Sequence, residues 1–167
     1  GIVGAGFMGA GIAQVSAAAG IQVVLIDRDQ ETADKGKAAL HKALSDRVMK
    51  GRMKSAERDG LLSLIATTPD YGALKDCELV IEAVFEDRKV KSDVIAKIQA
   101  VISDKAVFAS NTSTLPITSL ATEFKDLKMP WGDQTYGALA DGWIYVRENL
   151  VVGKVAPDFE TVDENGV

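Results

Sequence analysis

The first 122 residues alternate between short apolar runs and longer stretches in which apolar residues recur every three or four positions. The short runs predict buried strands at residues 2–3, 23–26, 64–67, 79–84 and 106–109. The longer stretches predict helices from Met8 to a C-cap at Gly20, from Gln30 to Lys50, between Gly51 and Gly60 as a second, antiparallel helix, from Lys89 to Ile102, and in a short segment opened by Pro116. Strands that are apolar throughout and separated by helices are typical of a parallel sheet covered on both faces. We therefore predict an α/β fold with a doubly wound, mainly parallel sheet.

Three of the helix predictions rest on apolar residues that recur at helical spacing and would form a line along one side of each helix. These lines run through Met8, Ile12, Val15 and Ala19, through the inward positions Ala33, Leu40 and Leu44, and through Val90, Val94, Ile98 and Val101. Glu82 is an acid in an otherwise apolar strand, where a carboxylate is costly unless it is paired or hydrated. We therefore expect Glu82 near the rim of the sheet at which the strands end.

The segment Gly4-Ala5-Gly6-Phe7-Met8-Gly9 matches G-x-G-x-x-G between a strand and a helix, as in Rossmann-type dinucleotide-binding folds. Gly4 permits the tight turn, Gly6 lets the backbone approach a pyrophosphate, and Gly9 lets the helix pack close to the strand. Phe7 and Met8 open the helix whose N-terminus faces the phosphates, so we count them with the cofactor-binding residues. The alternative is that the glycines only shape a turn.

Asp27 ends the next strand, 18 residues beyond Gly9. An acid near this spacing accepts hydrogen bonds from the adenosine ribose hydroxyls and repels a 2′-phosphate, which favours NAD over NADP. Arg28 beside it weakens this preference for NAD slightly, because an arginine can accommodate the 2′-phosphate of NADP. The alternative for Asp27 is that it caps the following helix.

Composition narrows the possible partners. With 47% hydrophobic and 26% charged residues and a net charge of −5, the chain has the balance of a globular protein and not the basic face of a nucleic-acid or anionic-membrane binder. It contains no apolar run of about 20 residues and no basic leader, so we expect neither a membrane span nor a signal peptide. Cys77 is the single cysteine; it excludes an internal disulfide, fits a reducing compartment such as the bacterial cytoplasm, and is expected to be a small buried residue. Because the chain opens on Gly1 with a two-residue strand, we expect a fragment whose first strand is truncated.

Three blocks of sequence together resemble the 3-hydroxyacyl-CoA dehydrogenase family, and their residues are most similar to those of bacterial multifunctional fatty-acid oxidation proteins. They are the segments 4–13 (GAGFMGAGIA), 80–87 (VIEAVFED) and 110–117 (SNTSTLPI). The resemblance covers residues 1–125, which we interpret as an NAD-binding Rossmann domain, and leaves residues 126–167 as a divergent tail, foreign or disordered. It implies reversible oxidation of the 3-hydroxyl of an acyl-CoA in fatty-acid β-oxidation, with hydride passed to NAD. It also implies a homodimer, formed largely through a helical domain that is absent here.

The resemblance also implies roles for four residues. Glu86 and Lys91 match positions that reach the nicotinamide side of the cofactor, Ser113 matches a polar residue near the 3-oxygen of the substrate, and Asn111 matches its neighbour. Simpler explanations exist for each. Glu86 or Asp87 could favour a helix N-terminus, and Asp87 with Lys91 has the i,i+4 spacing of an ordinary ion pair. Ser113 and Thr114 could satisfy free N–H groups before the helix at Pro116.

The general base of the family is a histidine soon after the third block, oriented by a glutamate further on, and neither is recognisable here. The single histidine, His41, lies in the middle of the long charged helix, where we expect it at the surface. Lys128-Met129-Pro130 resembles a family segment just past the missing histidine. Val152 to Phe159 loosely resembles the lead-in to a thioredoxin-like redoxin, without its cysteine pair.

Three hypotheses follow. The first is the NAD-binding domain of a 3-hydroxyacyl-CoA dehydrogenase, inactive as this chain alone, whose intact parent takes an acyl-CoA substrate. The second is a dinucleotide-binding module without catalysis, and the third is a chimeric chain whose tail derives from a redoxin. The sequence predicts no metal site.

Overall fold

The computed structural model describes residues 1–116, together with residues 120, 135 and 138. Within residues 1–116, five strands and four helices follow one another as β1 (Ile2–Val3), α1 (Phe7–Ala18), β2 (Val23–Ile26), α2 (Gln30–Met49), α3 (Ser55–Ser63), β3 (Ile65–Thr68), β4 (Leu79–Glu82), α4 (Arg88–Gln99) and β5 (Val107–Ser110). Each predicted strand is present within two residues of its expected bounds. The sequence pattern missed a short 3-10 helix at Tyr71–Leu74, which Asp70 caps through the amide of Gly72.

The strands form one parallel sheet in the order β3-β2-β1-β4-β5. This is the order of a Rossmann fold, in which the chain reverses direction across the sheet between β1 and β4 and opens a crevice at the carboxyl ends of those strands. The predicted fold class is confirmed.

Two apolar clusters cover the two faces of the sheet, because neighbouring residues of a strand point to opposite sides. Ile2, Leu25 and Ile65 pack against α1, α2 and α3. Val3, Ile26 and Val80 pack against α4. The predicted inward residues of α2 (Ala33, Leu40 and Leu44) are all buried, and His41 is exposed as expected.

The buried side of α1 differs from the apolar line that predicted this helix. Val15 is 64% exposed and Met8 is 51% exposed, whereas the buried residues are Gly9, Ala10, Ala13 and Ala17. Small residues are buried because α1 lies close to the sheet: a Cβ on Gly9 would stand 1.7 Å from the carbonyl oxygen of Gly4. Met8 and Val15 therefore face outward, while Ile12 is partly buried against the core.

Two smaller expectations were also wrong. Gly60 lies inside α3 and does not mark its end. In α4 Val90 is exposed, and Lys91 takes its place beside Val94 and Ile98 on the buried side.

Residues Gly1–Leu115 form one compact unit, and a second begins at Pro116. The amide of Leu120 donates to the carbonyl of Pro116 at 3.2 Å, as in the first turn of a helix. The predicted boundary between residues 125 and 126, and the redoxin-like segment 152–159, lie outside the described residues.

Candidate functional site

The glycine loop joins β1 to α1 and lies at the crevice between β1 and β4. Gly4 has a φ of +105°, and a Cβ there would stand 2.6 Å from the carbonyl oxygen of Ala83. Gly4 and Gly9 are therefore required by the packing of the protein itself.

Gly6 has no such internal reason. Its φ of −68° suits any residue, and a Cβ there would meet no protein atom within 4 Å. Gly6 precedes the first turn of α1, which contains no acidic residue and has no side-chain cap on its free N–H groups. An open backbone at a helix N-terminus fits an anionic group in close contact, so the loop has the shape and polarity that a pyrophosphate needs. Phe7, 93% exposed, and Met8 flank this position.

Asp27 joins the end of β2 to the glycine loop. Its Oδ2 accepts a hydrogen bond from the amide of Ala5 at 2.7 Å, and its Oδ1 accepts one from the amide of Arg28 at 2.8 Å. The cap of α2 is Asp29, which accepts from the amide of Thr32, so the alternative role of Asp27 as helix cap is wrong. Arg28 forms an ion pair with Asp29 at 3.2 Å.

The end of β4 holds a buried ion pair. Glu82 and Lys91 have no exposed side-chain surface, and Lys91 Nζ lies 2.8 Å from Glu82 Oε1. Glu82 was expected to be paired or hydrated near the rim, and its partner is Lys91 of α4. The alternative i,i+4 ion pair of Asp87 with Lys91 is wrong, because Asp87 instead caps α4 by accepting from the amide of Val90. The spacing contained the signal for this pair: Lys91 precedes Val94 by three residues and Ile98 by seven, which places it on the apolar side of the helix.

Glu86 connects this pair to the turn after β5. Its Oε2 lies 3.3 Å from Lys91 Nζ, and its Oε1 accepts hydrogen bonds from the Thr112 hydroxyl and from the amides of Ser113 at 3.0 Å and Thr114 at 2.9 Å. The Thr112 hydroxyl above all, and then the Thr114 amide, hold the pKa of Glu86 well below its ordinary range. Glu86 is therefore an ionised anchor for residues 112–115 and does not cap α4.

Asn111 and Ser113 are exposed beside Glu86 at the carboxyl end of β5. The amide of Asn111 donates to the carbonyl oxygen of Glu82 at 2.7 Å. The structure thus brings Glu86, Lys91, Asn111 and Ser113 together on the β4–β5 side of the crevice, with the glycine loop and Asp27 on the β1–β2 side.

A separate cavity opens at the other end of the sheet, between Ile21, Cys77 and Leu79. It lies at the amino ends of β2 and β4, whereas open α/β folds bind ligands at the carboxyl ends, so we assign it no part in the site. Cys77 is partly buried there, against the cluster under α4.

Residues 1–130 match the family model described as 3-hydroxyacyl-CoA dehydrogenase, NAD binding domain. This chain belongs to that family. As such a domain it takes NAD as its cofactor, in agreement with the open glycine loop and Asp27.

Similar proteins share this domain. The chain is 44% identical over 126 residues to 3-hydroxybutyryl-CoA dehydrogenase of Mycobacterium tuberculosis, covering 75% of this chain and 44% of that protein. It is 43% identical over 130 residues to the fatty acid oxidation complex subunit alpha of Idiomarina loihiensis, covering 78% of this chain and 18% of that one. The crystal structure of (S)-3-hydroxybutyryl-CoA dehydrogenase from Ralstonia eutropha superposes with a TM-score of 0.70 at 35% identity, covering 73% of this chain and 43% of that one. The chain thus spans less than half the length of these relatives.

Within residues 1–116, 120, 135 and 138, no helix is long and apolar enough to cross a membrane, and no group of three or more His, Cys, Asp or Glu side chains could hold a metal ion.

Proposed function

We propose that this NAD-binding domain serves the oxidation of a 3-hydroxyacyl-CoA to a 3-oxoacyl-CoA, and that the chain by itself binds the dinucleotide without turnover. NAD accepts a hydride when it is bound in such a crevice. The relatives named for 3-hydroxybutyryl-CoA and for fatty acid oxidation support an acyl-CoA substrate. We also predict a homodimer and a bacterial cytoplasmic location for the intact protein.

The observation that carries the cofactor part is the open position at Gly6. In a Rossmann fold the first half of the sheet binds one mononucleotide and the second half binds the other, with the pyrophosphate at the glycine loop between them. Asp27 lies on the first half and is proposed to accept from the adenosine ribose. Glu86 and Ser113 lie on the second half and are proposed to face the nicotinamide and the substrate.

The residues on the second half of the sheet are proposed to have different roles. The exposed Ser113 is proposed to hold the 3-oxygen of the substrate through its hydroxyl, with Asn111 beside it, while Glu86 keeps their turn in place. Removal of the hydroxyl proton needs a base, and His41 is exposed on α2. A missing general base typically costs about 10²–10⁴ in rate, which is the reason to expect binding without turnover. The same observation favours a second candidate, a dinucleotide-binding module with no catalytic role.

The test is a pair of glycine substitutions in one loop and helix. Gly6→Ala adds a methyl group where only a ligand would meet it, so we expect NAD affinity to fall roughly tenfold or more, about 1.4 kcal/mol, as measured by calorimetric titration. Gly6 is the N-cap residue of α1, where alanine is less favourable than glycine, but the added methyl group displaces no protein atom. The free energy of unfolding should therefore fall by no more than about 1 kcal/mol.

Gly11→Ala is the matched control. Gly11 is also exposed, and a Cβ there meets no atom within 4 Å, but it lies inside α1. We expect unchanged NAD affinity and a gain in unfolding free energy of up to about 1 kcal/mol. Equal NAD affinity in Gly6→Ala and the unmodified chain would contradict a pyrophosphate at this loop.

A further inference from the structure

Glu82 ties together three elements at the β4–β5 side of the crevice. Its carboxylate accepts from the amide of Val84 at 2.7 Å, from Lys91 Nζ at 2.8 and 3.1 Å, and from the Ser110 hydroxyl at 2.6 Å. These donors belong to the turn after β4, to α4 and to the last residue of β5. A fully buried carboxylate with this many donors is fixed in position.

The ammonium of Lys91 depends on Glu82. It lies between two carboxylates, Glu82 at 2.8 Å and Glu86 at 3.3 Å, and also donates to the carbonyl of Val84 at 3.4 Å. Removal of one partner from a buried ion pair leaves a charge that water cannot reach, which is strongly unfavourable. Without the Glu82 charge, Lys91 would have to draw Glu86 inward or move outward itself.

A displacement of Glu86 would reach the residues proposed to face the nicotinamide. Its Oε1 anchors the turn through the amides of Ser113 and Thr114, and the Asn111 amide is bonded directly to the Glu82 carbonyl. Contacts therefore run without a gap from Glu82 through Lys91 and Glu86 to Ser113. Glu82 itself has no exposed surface with which to touch a ligand.

We propose that Glu82 is a positioning residue for the nicotinamide half of the cofactor site: it holds Lys91 beneath Glu86 and thereby sets the position of Glu86 and of the Asn111–Ser113 turn. This inference rests on the proposed assignment of the second half of the sheet to the nicotinamide. A carboxylate that only stabilises the fold would affect the binding of the whole dinucleotide, whereas a positioning role for Glu82 predicts an effect on the binding of the nicotinamide half alone.

The experiment compares two probes on the whole chain, NADH and ADP-ribose, the second of which lacks the nicotinamide. In Glu82→Gln we expect NADH affinity to fall roughly tenfold, the size of one lost charge-assisted hydrogen bond, while ADP-ribose affinity stays within about twofold. Asp34→Asn is the matched control, because Asp34, like Glu82, accepts from a side-chain hydroxyl, here that of Thr67, but it lies on α2 beside β3. It should change neither affinity.

Ser110→Ala covers the possibility that Glu82→Gln does not fold. It removes one donor of Glu82 and leaves the ion pair with Lys91, so we expect a native melting curve and a smaller loss of NADH affinity, roughly threefold, again without loss of ADP-ribose. A parallel loss of both probes in whichever variants fold, or no loss of either, would overturn the positioning role. An unmodified chain that binds both probes equally would also overturn it and leave dinucleotide binding intact. An unmodified chain that binds neither would refute the proposed function, and the inference with it.

Discussion

Among single residues, Glu86 has the most specific electrostatic environment of the site. It is the shared acceptor for the hydroxyl of Thr112 and the amides of Ser113 and Thr114, and it borders the ammonium of Lys91. The hydrogen bonds from the Thr112 hydroxyl, and then from the amides of Thr114 and Ser113, favour the ionised carboxylate, so the folded state lowers the pKa of Glu86 below its ordinary value of 4.5. A group with a depressed folded pKa stabilises the fold above its unfolded pKa, and this contribution is lost as the pH falls.

The pH dependence of Glu86→Gln follows from that sign. The unmodified chain should be more stable than the variant, by a constant margin between pH 6 and 8. The margin should narrow as the pH falls below 4.5, because Glu86 of the unfolded chain then takes up a proton while the folded carboxylate stays ionised, which favours unfolding of the unmodified chain and not of the variant. Chemical denaturation at a series of pH values measures this margin, and Glu57→Gln, an exposed carboxylate on α3, is the control. A margin that widens toward low pH would contradict the assignment of Glu86 as an ionised anchor.

Among the elements, α1 shows how packing distance selects residues. Its buried face is made of Gly9, Ala10, Ala13 and Ala17, and this keeps the helix N-terminus close to the crevice. The cofactor site and the packing of α1 therefore depend on the same small side chains.

Ala13→Leu tests this packing. Ala13 has no exposed surface, and a larger side chain would force α1 away from the sheet, so we expect a loss of about 1–3 kcal/mol in the free energy of unfolding. Val15→Leu on the exposed side of the same helix is the control and should stay within about 0.5 kcal/mol. Equal effects of the two substitutions in urea denaturation would show that α1 is not closely packed.

The elements also show how far the sequence could predict the structure. Apolar runs located the five strands within residues 1–116, because this signal is local. The assignment of the glycines and Asp27 to the first half of the site rests on their spacing and stays a prediction. The small buried face of α1 was missed, since alanine and glycine carry little hydrophobic signal. The helical spacing places Lys91 on the buried side of α4, but it does not show which residue of another element lies opposite, so the pairing of Lys91 with Glu82 was missed. The roles proposed for Glu86, Asn111 and Ser113 stay predictions.

At the scale of the whole molecule, the sheet order places two chemically different edges across one crevice. The β1–β2 edge offers backbone amides and Asp27, whereas the β4–β5 edge offers the carboxylate of Glu86 and exposed side chains of the turn. The chain therefore has the parts for binding a dinucleotide, while the base for turnover is not recognisable in its sequence.

We expect the isolated chain to bind NAD but to form no NADH from NAD and 3-hydroxybutyryl-CoA above the background rate. The absorbance of NADH measures this, and the Mycobacterium tuberculosis 3-hydroxybutyryl-CoA dehydrogenase serves as the positive control. Steady turnover by this chain would show that another group acts as the base and would refute the proposal of binding without catalysis.

The hydrogen bonds around Glu82 and Glu86 have an entropic consequence. Ordering a residue costs roughly 1–2 kcal/mol of backbone entropy. For the Asn111–Ser113 turn, this cost arises when the chain folds and not when a ligand binds. Among the described residues, every buried side-chain nitrogen and oxygen has a partner. The Asn111–Ser113 turn is therefore held in place by the folded chain before a dinucleotide arrives, and we expect little of the binding free energy to be spent on ordering this turn.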